Sequence, residues 1–123
     1  VPLMFGYVDV KDVAAAHILA MQIPASNGER FALAEKDLWY KDVAKLLREN
    51  GFEKAPTIGI PVWLAKIMAN FSKELKLTLP YLGRLRSVKN TSKAKDILGW
   101  NPRPAEESIV EIANQMKDLG MLK

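Results

Sequence analysis

Residues 5–21 read FGYVDVKDVAAAHILAM, and the fold turns on where in this stretch an extended segment gives way to a helix. Phe5 to Val10 is short and rich in valine and aromatic side chains, a composition suited to a pleated strand. A helix is expected next. Asp9 or Asp12 can accept the free amide protons of its first turn, and Asp9 with Asp12 three residues on is a weak variant of a capping box. From Val13 to Met21 the side chains are apolar almost all the way round, the mark of a helix buried on more than one side, and Pro24 ends it. Tyr7 and Lys11 stand in the spacing Y-x-x-x-K, that of a pair in which a lysine ammonium lowers the pKa of a tyrosine that exchanges a proton. Such a pair must share a helical turn, where Cβ atoms lie about 5–6 Å apart. Along a strand the same spacing separates them by roughly 13 Å. The expected strand-to-helix junction therefore makes this pair a coincidence.

Outward from that stretch, SNGER (26–30) is a turn signal and RFALA (30–34) reads as a second strand. LWYKDVAKLLRENG (38–51) carries Trp39, Val43, Leu46 and Leu47 at helical spacing, with Gly51 where helices end in a left-handed residue. APTIGI (55–60) suggests a third strand, and Pro61 suits the first turn of a helix with the stripe Leu64, Ile67, Met68 and Phe71. From Ser72 to Val88, Pro80 and Gly83 break any period. The reading there is an irregular excursion with one short strand around Leu85 to Val88. In NTSKAKDILGW (90–100), Asn90 or Thr91 can cap a short helix that Gly99 terminates. A last helix carries Ile109, Ile112, Ala113, Met116 and Leu119 on one face and ends at Gly120. Glu106 and Glu107 sit in its first turn and Lys117 in its last, the charge order a helix dipole favours.

The 123 residues are one domain's worth, 49% of them apolar and 26% charged, which excludes a disordered chain. With no cysteine and His17 as the single histidine, disulfides and thiolate chemistry are excluded, and a zinc site would need carboxylates alone. No apolar run approaches the ~20 residues that span a bilayer, and no secretory signal pattern is present, so the expected compartment is the cytoplasm, with no membrane partner. The opening VPLMF is unusual for a native N-terminus. It reads as a piece of a longer protein, with a processed mature chain as the alternative. The net charge of +4 is uneven: between Lys73 and Lys95 seven basic residues face the single acid Glu74. Such a run is more often a solvated face than a grip on nucleic acid or an acidic partner. The seven glycines are never closer than eight apart, so the clustered loop that brings backbone against a pyrophosphate is missing.

The order of YVDVKDVAAAHILAM, GERFALA, WYKDVAKLL and NTSKAKDILGWNPRPAEESIVEIA resembles the C-terminal portion of the extended short-chain dehydrogenase/reductases, within the NAD-dependent epimerase/dehydratase superfamily. The two motifs V-D-V-x-D-V-A-x-A-H and S-K-A-x-x-x-L-G-W-x-P carry that resemblance jointly, and the closing MKDLGMLK looks most like the dihydroflavonol reductase and cinnamoyl-CoA reductase branch. What it implies is an α/β, mainly helical piece of four to five helices with two to four short strands. Residues 1–123 would form a single substrate-side domain of an extended Rossmann-type reductase without its nucleotide-binding half. The resemblance also implies NAD(P) in the parent protein, with none bound by this chain, and a small-molecule carbonyl substrate. The catalytic tyrosine, catalytic lysine and cofactor loop would lie upstream, which leaves no catalytic residue here. Substrate contacts would come from Phe5, Gly6 and Tyr7 and from Leu79, Pro80, Tyr81 and Leu82, in each case against a packing role. Trp39, Trp63 and Trp100 read as packing residues, and His17 as the maker of a structural hydrogen bond. The alternatives are the same region of a nucleotide-sugar epimerase or dehydratase, which the missing R-x-G-D-like element disfavours, or an independent basic binding module.

On this reading the helix from Val13 to Met21 lacks the cover that the rest of an enzyme would give it. Several hundred exposed square ångströms correspond to something on the order of ten kcal/mol of unrealised burial. The chain should therefore self-associate, through exchange of its first strand or helix. Light scattering behind a sizing column checks this: a compact monomer at micromolar concentration would count against it.

Overall fold

The computed structural model describes residues 2–83 and 91–122. Among them the chain forms β1 (Met4–Tyr7), α1 (Val10–Gln22), β2 (Lys36–Trp39), α2 (Tyr40–Glu49), α3 (Val62–Met68), α4 (Lys73–Thr78), α5 (Ser92–Leu98) and α6 (Ala105–Asp118), with 3-10 turns at Pro24–Ser26 and Leu79–Tyr81. β1 and β2 make one two-stranded sheet. The Glu35 N–H donates to Tyr7 O and the Tyr40 N–H to Leu3 O, both at 2.8 Å, so the partners descend as β1 ascends and the pair is antiparallel.

The chain divides into two compact units, one of Val1–Phe5 with Leu38–Arg86, the other of Gly6–Asp37 with Ser87–Lys123. In the second unit, the junction read from residues 5–21 is present: the strand ends at Tyr7, and Asp9 caps α1 by accepting the Lys11 N–H at 2.7 Å. Its core is Ala16 of α1, Ala94 and Leu98 of α5 and Trp100, with Val8, Leu19, Ile23, Phe31, Leu33 and Ile97 packed around them. Gly99 takes φ +64° and closes α5, a conformation that costs an ordinary residue roughly 1–2 kcal/mol. α1 is not covered all round: Asp12 and Ala16 are buried, whereas Val10, Ile18 and Met21 are exposed.

In the first unit, α2 and α3 bury only Val43, Ala44 and Ala65, with Ala69 just beyond α3. Ser72 caps α4 by accepting the Leu75 N–H at 3.4 Å. The Gly83 N–H donates to Pro2 O at 2.8 Å, which ties the end of the excursion to the start of the chain.

Mainly helical with few short strands is what the chain is, but the details depart from expectation. The helices number six, because KELKLT of α4 continues from a serine cap inside the segment read as irregular. RFALA forms no ladder. Phe31 and Leu33 alternate because both pack on the core, and the adjoining strand begins only at Lys36. APTIGI likewise finds no partner strand among the described residues, and its Ile58 is 89% exposed. Thr91 stands at the α5 N-cap without a side-chain cap bond. Trp100 packs as expected, Trp39 is half-buried, and Trp63 is 65% exposed and so is no packing residue. The strand expected at Leu85 to Val88, and the Asn90 cap, lie outside the described residues.

Trp100→Phe removes the indole donor of a buried 2.8 Å bond to the Asp12 carbonyl. It should cost about 1–3 kcal/mol in urea unfolding followed by circular dichroism, with Gly99→Ala costing roughly 1 kcal/mol or more.

Candidate functional site

Two places in the chain bring chemistry-bearing side chains together. The first lies in the second unit, where the two sequence motifs meet. Asp9 sits at the start of α1 with 4% exposure, and its second carboxylate oxygen accepts the Ser108 hydroxyl of α6 at 2.6 Å. Asp12, one turn on, accepts the Arg103 backbone N–H at 2.9 Å and its Nε at 3.3 Å, while the Asp12 carbonyl accepts the Trp100 indole. The Arg103 guanidinium also lies 3.9 Å from Asp9 and 3.6 Å from Glu111, and Glu111 in turn holds the Lys11 ammonium at 2.6 Å. The Lys36–Glu106 pair at 2.5 Å flanks the same α6 N-terminal turn, and the Ala105 N–H donates to Glu35 at 2.8 Å.

This constellation is acidic and hydrogen-bonded, yet every buried member has its partners inside the protein. The Asp9 carboxyl is held below its ordinary 3.8, first by the Ser108 hydroxyl, then by the Lys11 N–H, with the Arg103 and Lys11 charges adding to both against the cost of burial. The hydrogen bond between Lys36 and Glu106 raises the amine and lowers the carboxyl from their ordinary values. Carboxylates held ionised by partners inside the protein in this way fasten one element to another. Lys11, in the first turn of α1, is engaged with Glu111, while Tyr7 ends β1. His17 is exposed on α1 with Nδ1 2.8 Å from Val13 O, the structural bond expected of it.

The second place is a cavity of about 730 Å³ in the first unit, within the size range of small-molecule sites. Phe5, Trp39 and Tyr40 line it with Ile58 and Ile60 and the prolines at 2, 56 and 61, and Lys41 and Asp42 stand at it as its charged groups. Of the residues expected at a substrate, Phe5 lines this cavity. Leu79 and Tyr81 belong to the same unit, in the 3-10 turn after α4, but do not line it; Gly6 and Tyr7 fall in the other unit. Trp39, Tyr40 and Ile58 at the cavity were not singled out as contacts, although two adjacent aromatics at the start of α2 were the available signal. No group of three or more His, Cys, Asp or Glu among the described residues is placed to hold a metal ion. Gly51, Gly99 and Gly120 follow helix C-terminal ends, where backbone carbonyls point outward.

The fold is shared with the crystal structure of gox2253, at a TM-score of 0.71 and 21% identity over 98% of this chain and 39% of that one. By sequence the chain is homologous to part of the extended short-chain dehydrogenase/reductases, of the epimerase/dehydratase superfamily. The cinnamoyl-CoA reductase CAD2 of Medicago truncatula is 32% identical over 114 residues, 93% of this chain and 29% of the relative. The NADPH-dependent methylglyoxal reductase GRE2 of Saccharomyces cerevisiae is 29% identical over 119 residues, 94% of this chain and 30% of the relative. The chain thus spans about 30% of the length of these relatives. No protein-family model matches it. No helix among the described residues is long and apolar enough to cross a membrane.

The lowered Asp9 carboxyl makes the fastener pH-dependent. Its stabilisation is complete above the ordinary value of 3.8 and is lost as pH falls through the lowered folded value. Ser108→Ala returns the folded value toward 3.8, so the variant should melt below the parent chain near pH 7. The gap between the two melting temperatures should close as pH drops below 3.8, read by thermal circular dichroism across an acid series.

Proposed function

We propose that this chain is the C-terminal, substrate-side portion of an NAD(P)-dependent reductase acting on a carbonyl. The observation that carries this reading is the alignment of more than nine-tenths of the chain with a cinnamoyl-CoA reductase and a methylglyoxal reductase, at about 30% of their length. In such an enzyme NAD(P)H supplies the hydride. The catalytic tyrosine and lysine and the cofactor loop belong to the remaining length, and residues 1–123 act as the substrate-side domain.

Binding is then what this portion does. In the first unit Phe5, with Leu79 and Tyr81 of the 3-10 turn after α4, offers aromatic and apolar contacts; in the second, Gly6 and Tyr7 offer a short backbone step and an aromatic ring. Apolar and aromatic contacts of this kind orient the body of a substrate while leaving proton transfer to groups elsewhere. The exposed Val10, Ile18 and Met21 of α1 are the surface through which the isolated chain pairs.

In a chain extended to the full length of the relatives, Phe5→Ala and Tyr81→Ala should raise KM for an aryl or short aliphatic carbonyl about tenfold with kcat little changed, the pattern of lost uniform binding. NADPH consumption measures both. An extended chain that oxidises no NADPH with any carbonyl, or a 123-residue chain that binds NADPH tightly in calorimetry, defeats the reading.

A further inference from the structure

α3 is turned inside out relative to an ordinary surface helix. Its buried side carries alanines: Ala65, and Ala69 just past the helix end, lie four apart at 0% and 4% exposure. Ile67, two residues from each, points about 200° away, and Trp63, four residues before Ile67, shares that outer side. Trp63 is 65% exposed and Ile67 52%, and Phe71, in the turn that follows α3, is 91% exposed. A helix that buries methyl groups and leaves a tryptophan and an isoleucine in water is built to be covered from outside.

The charges around it say by what. Lys66 borders the outer side of α3, and Lys73 and Lys76 are exposed on α4, which packs against α3. None of the three makes an ion pair with another described residue; the acid in the same stretch is Glu74. A second copy docking here by two-fold symmetry would set the patch against itself and bring lysines onto lysines. A nucleic acid would meet the lysines but leave the apolar side chains wet. An anionic bilayer surface satisfies both, because aromatic and aliphatic side chains enter the headgroup boundary while ammonium groups meet lipid phosphates. We propose that α3 and α4 dock this chain peripherally onto an anionic lipid surface, through Trp63, Ile67 and Phe71 with Lys66, Lys73 and Lys76.

Co-sedimentation of the 123-residue chain with vesicles tests this, comparing phosphatidylcholine alone with phosphatidylcholine mixed with phosphatidylglycerol. Binding should require the anionic lipid, weaken with salt, and shift tryptophan emission to the blue. Replacing Lys66, Lys73 and Lys76 by Gln should weaken partitioning about fivefold per residue. Trp63→Ser with Phe71→Ser should weaken it roughly tenfold or more and abolish the blue shift. Both sites are so exposed that the circular dichroism spectrum should not change. Equal binding to both vesicle types, or binding indifferent to these substitutions, overturns the proposal. So does a dimer that Trp63→Ser disperses, binding to a DNA duplex without binding to vesicles, or loss of vesicle binding when the chain is extended to the length of its relatives.

Discussion

The second unit depends on one meeting point, where the first turn of α1 is fastened to the segment that links α5 to α6. Asp9 alone does three jobs there: its carbonyl starts the helix, one carboxylate oxygen caps it, and the other receives Ser108 from 99 residues away. Asp12 receives Arg103 through its carboxylate and Trp100 through its carbonyl. Burying two carboxylates without such partners would be prohibitive, and burying the Trp100 indole without an acceptor nearly so. Each group therefore licenses the burial of the other. Asp9 and Asp12 of the first motif thus meet Trp100 of the second, together with Arg103 and Ser108 just beyond it.

That arrangement has a topological consequence. The second unit is assembled from Gly6–Asp37 and Ser87–Lys123, and all of the first unit but its opening Val1–Phe5 lies between them in sequence. Its core is completed only when α5 and Trp100 join it: until then Ala16 and Leu19 have Val8, Ile23, Phe31 and Leu33 to pack with, but not Ala94, Leu98 or Trp100. Closing so long a loop has an entropic cost that grows only slowly with length, but it must be met before the buried hydrogen bonds repay it, which slows folding. The local helix signals at both ends bear on this directly. Asp9 at the start of α1 and Gly99 at the end of α5 hold those two helices ready before they meet.

Those same local signals are what the sequence made legible. A cap from Asp9 or Asp12, the left-handed Gly51, helix ends at Gly99 and Gly120, and the charge order of α6 could be read from neighbours alone; Asp9 supplies the cap and the others are present. So could the junction that puts Tyr7 on β1 and Lys11 on α1. What could not be read is what depends on distant partners. RFALA has the alternation of a strand, but alternation reports one buried face and not a hydrogen-bonded neighbour. APTIGI has strand composition without burial, and α4 is held by a Ser72 cap that a reading for apolar period passes over. The role of Ser108 was invisible for the same reason, because nothing near it in sequence reveals that Asp9 waits across the fold.

The two units differ in what they bury. The second buries Leu98 and Trp100 almost completely, although Val10, Ile18, Met21, Ile112 and Leu119 stay exposed. Among the described residues the first buries nothing larger than Val43 and otherwise only Ala44, Ala65 and Ala69. Its phenylalanines, tryptophans and isoleucines are left half-exposed or exposed, where Phe5, Trp39, Tyr40, Ile58 and Ile60 line a cavity and Trp63, Ile67 and Phe71 face outward. Burial of apolar area is the dominant favourable term in folding, so a unit that forgoes it in its own core holds that free energy in reserve for whatever it contacts. The second unit is accordingly held by its fastener and its large buried pair, whereas the first leaves most of its aromatic and branched side chains open to contact.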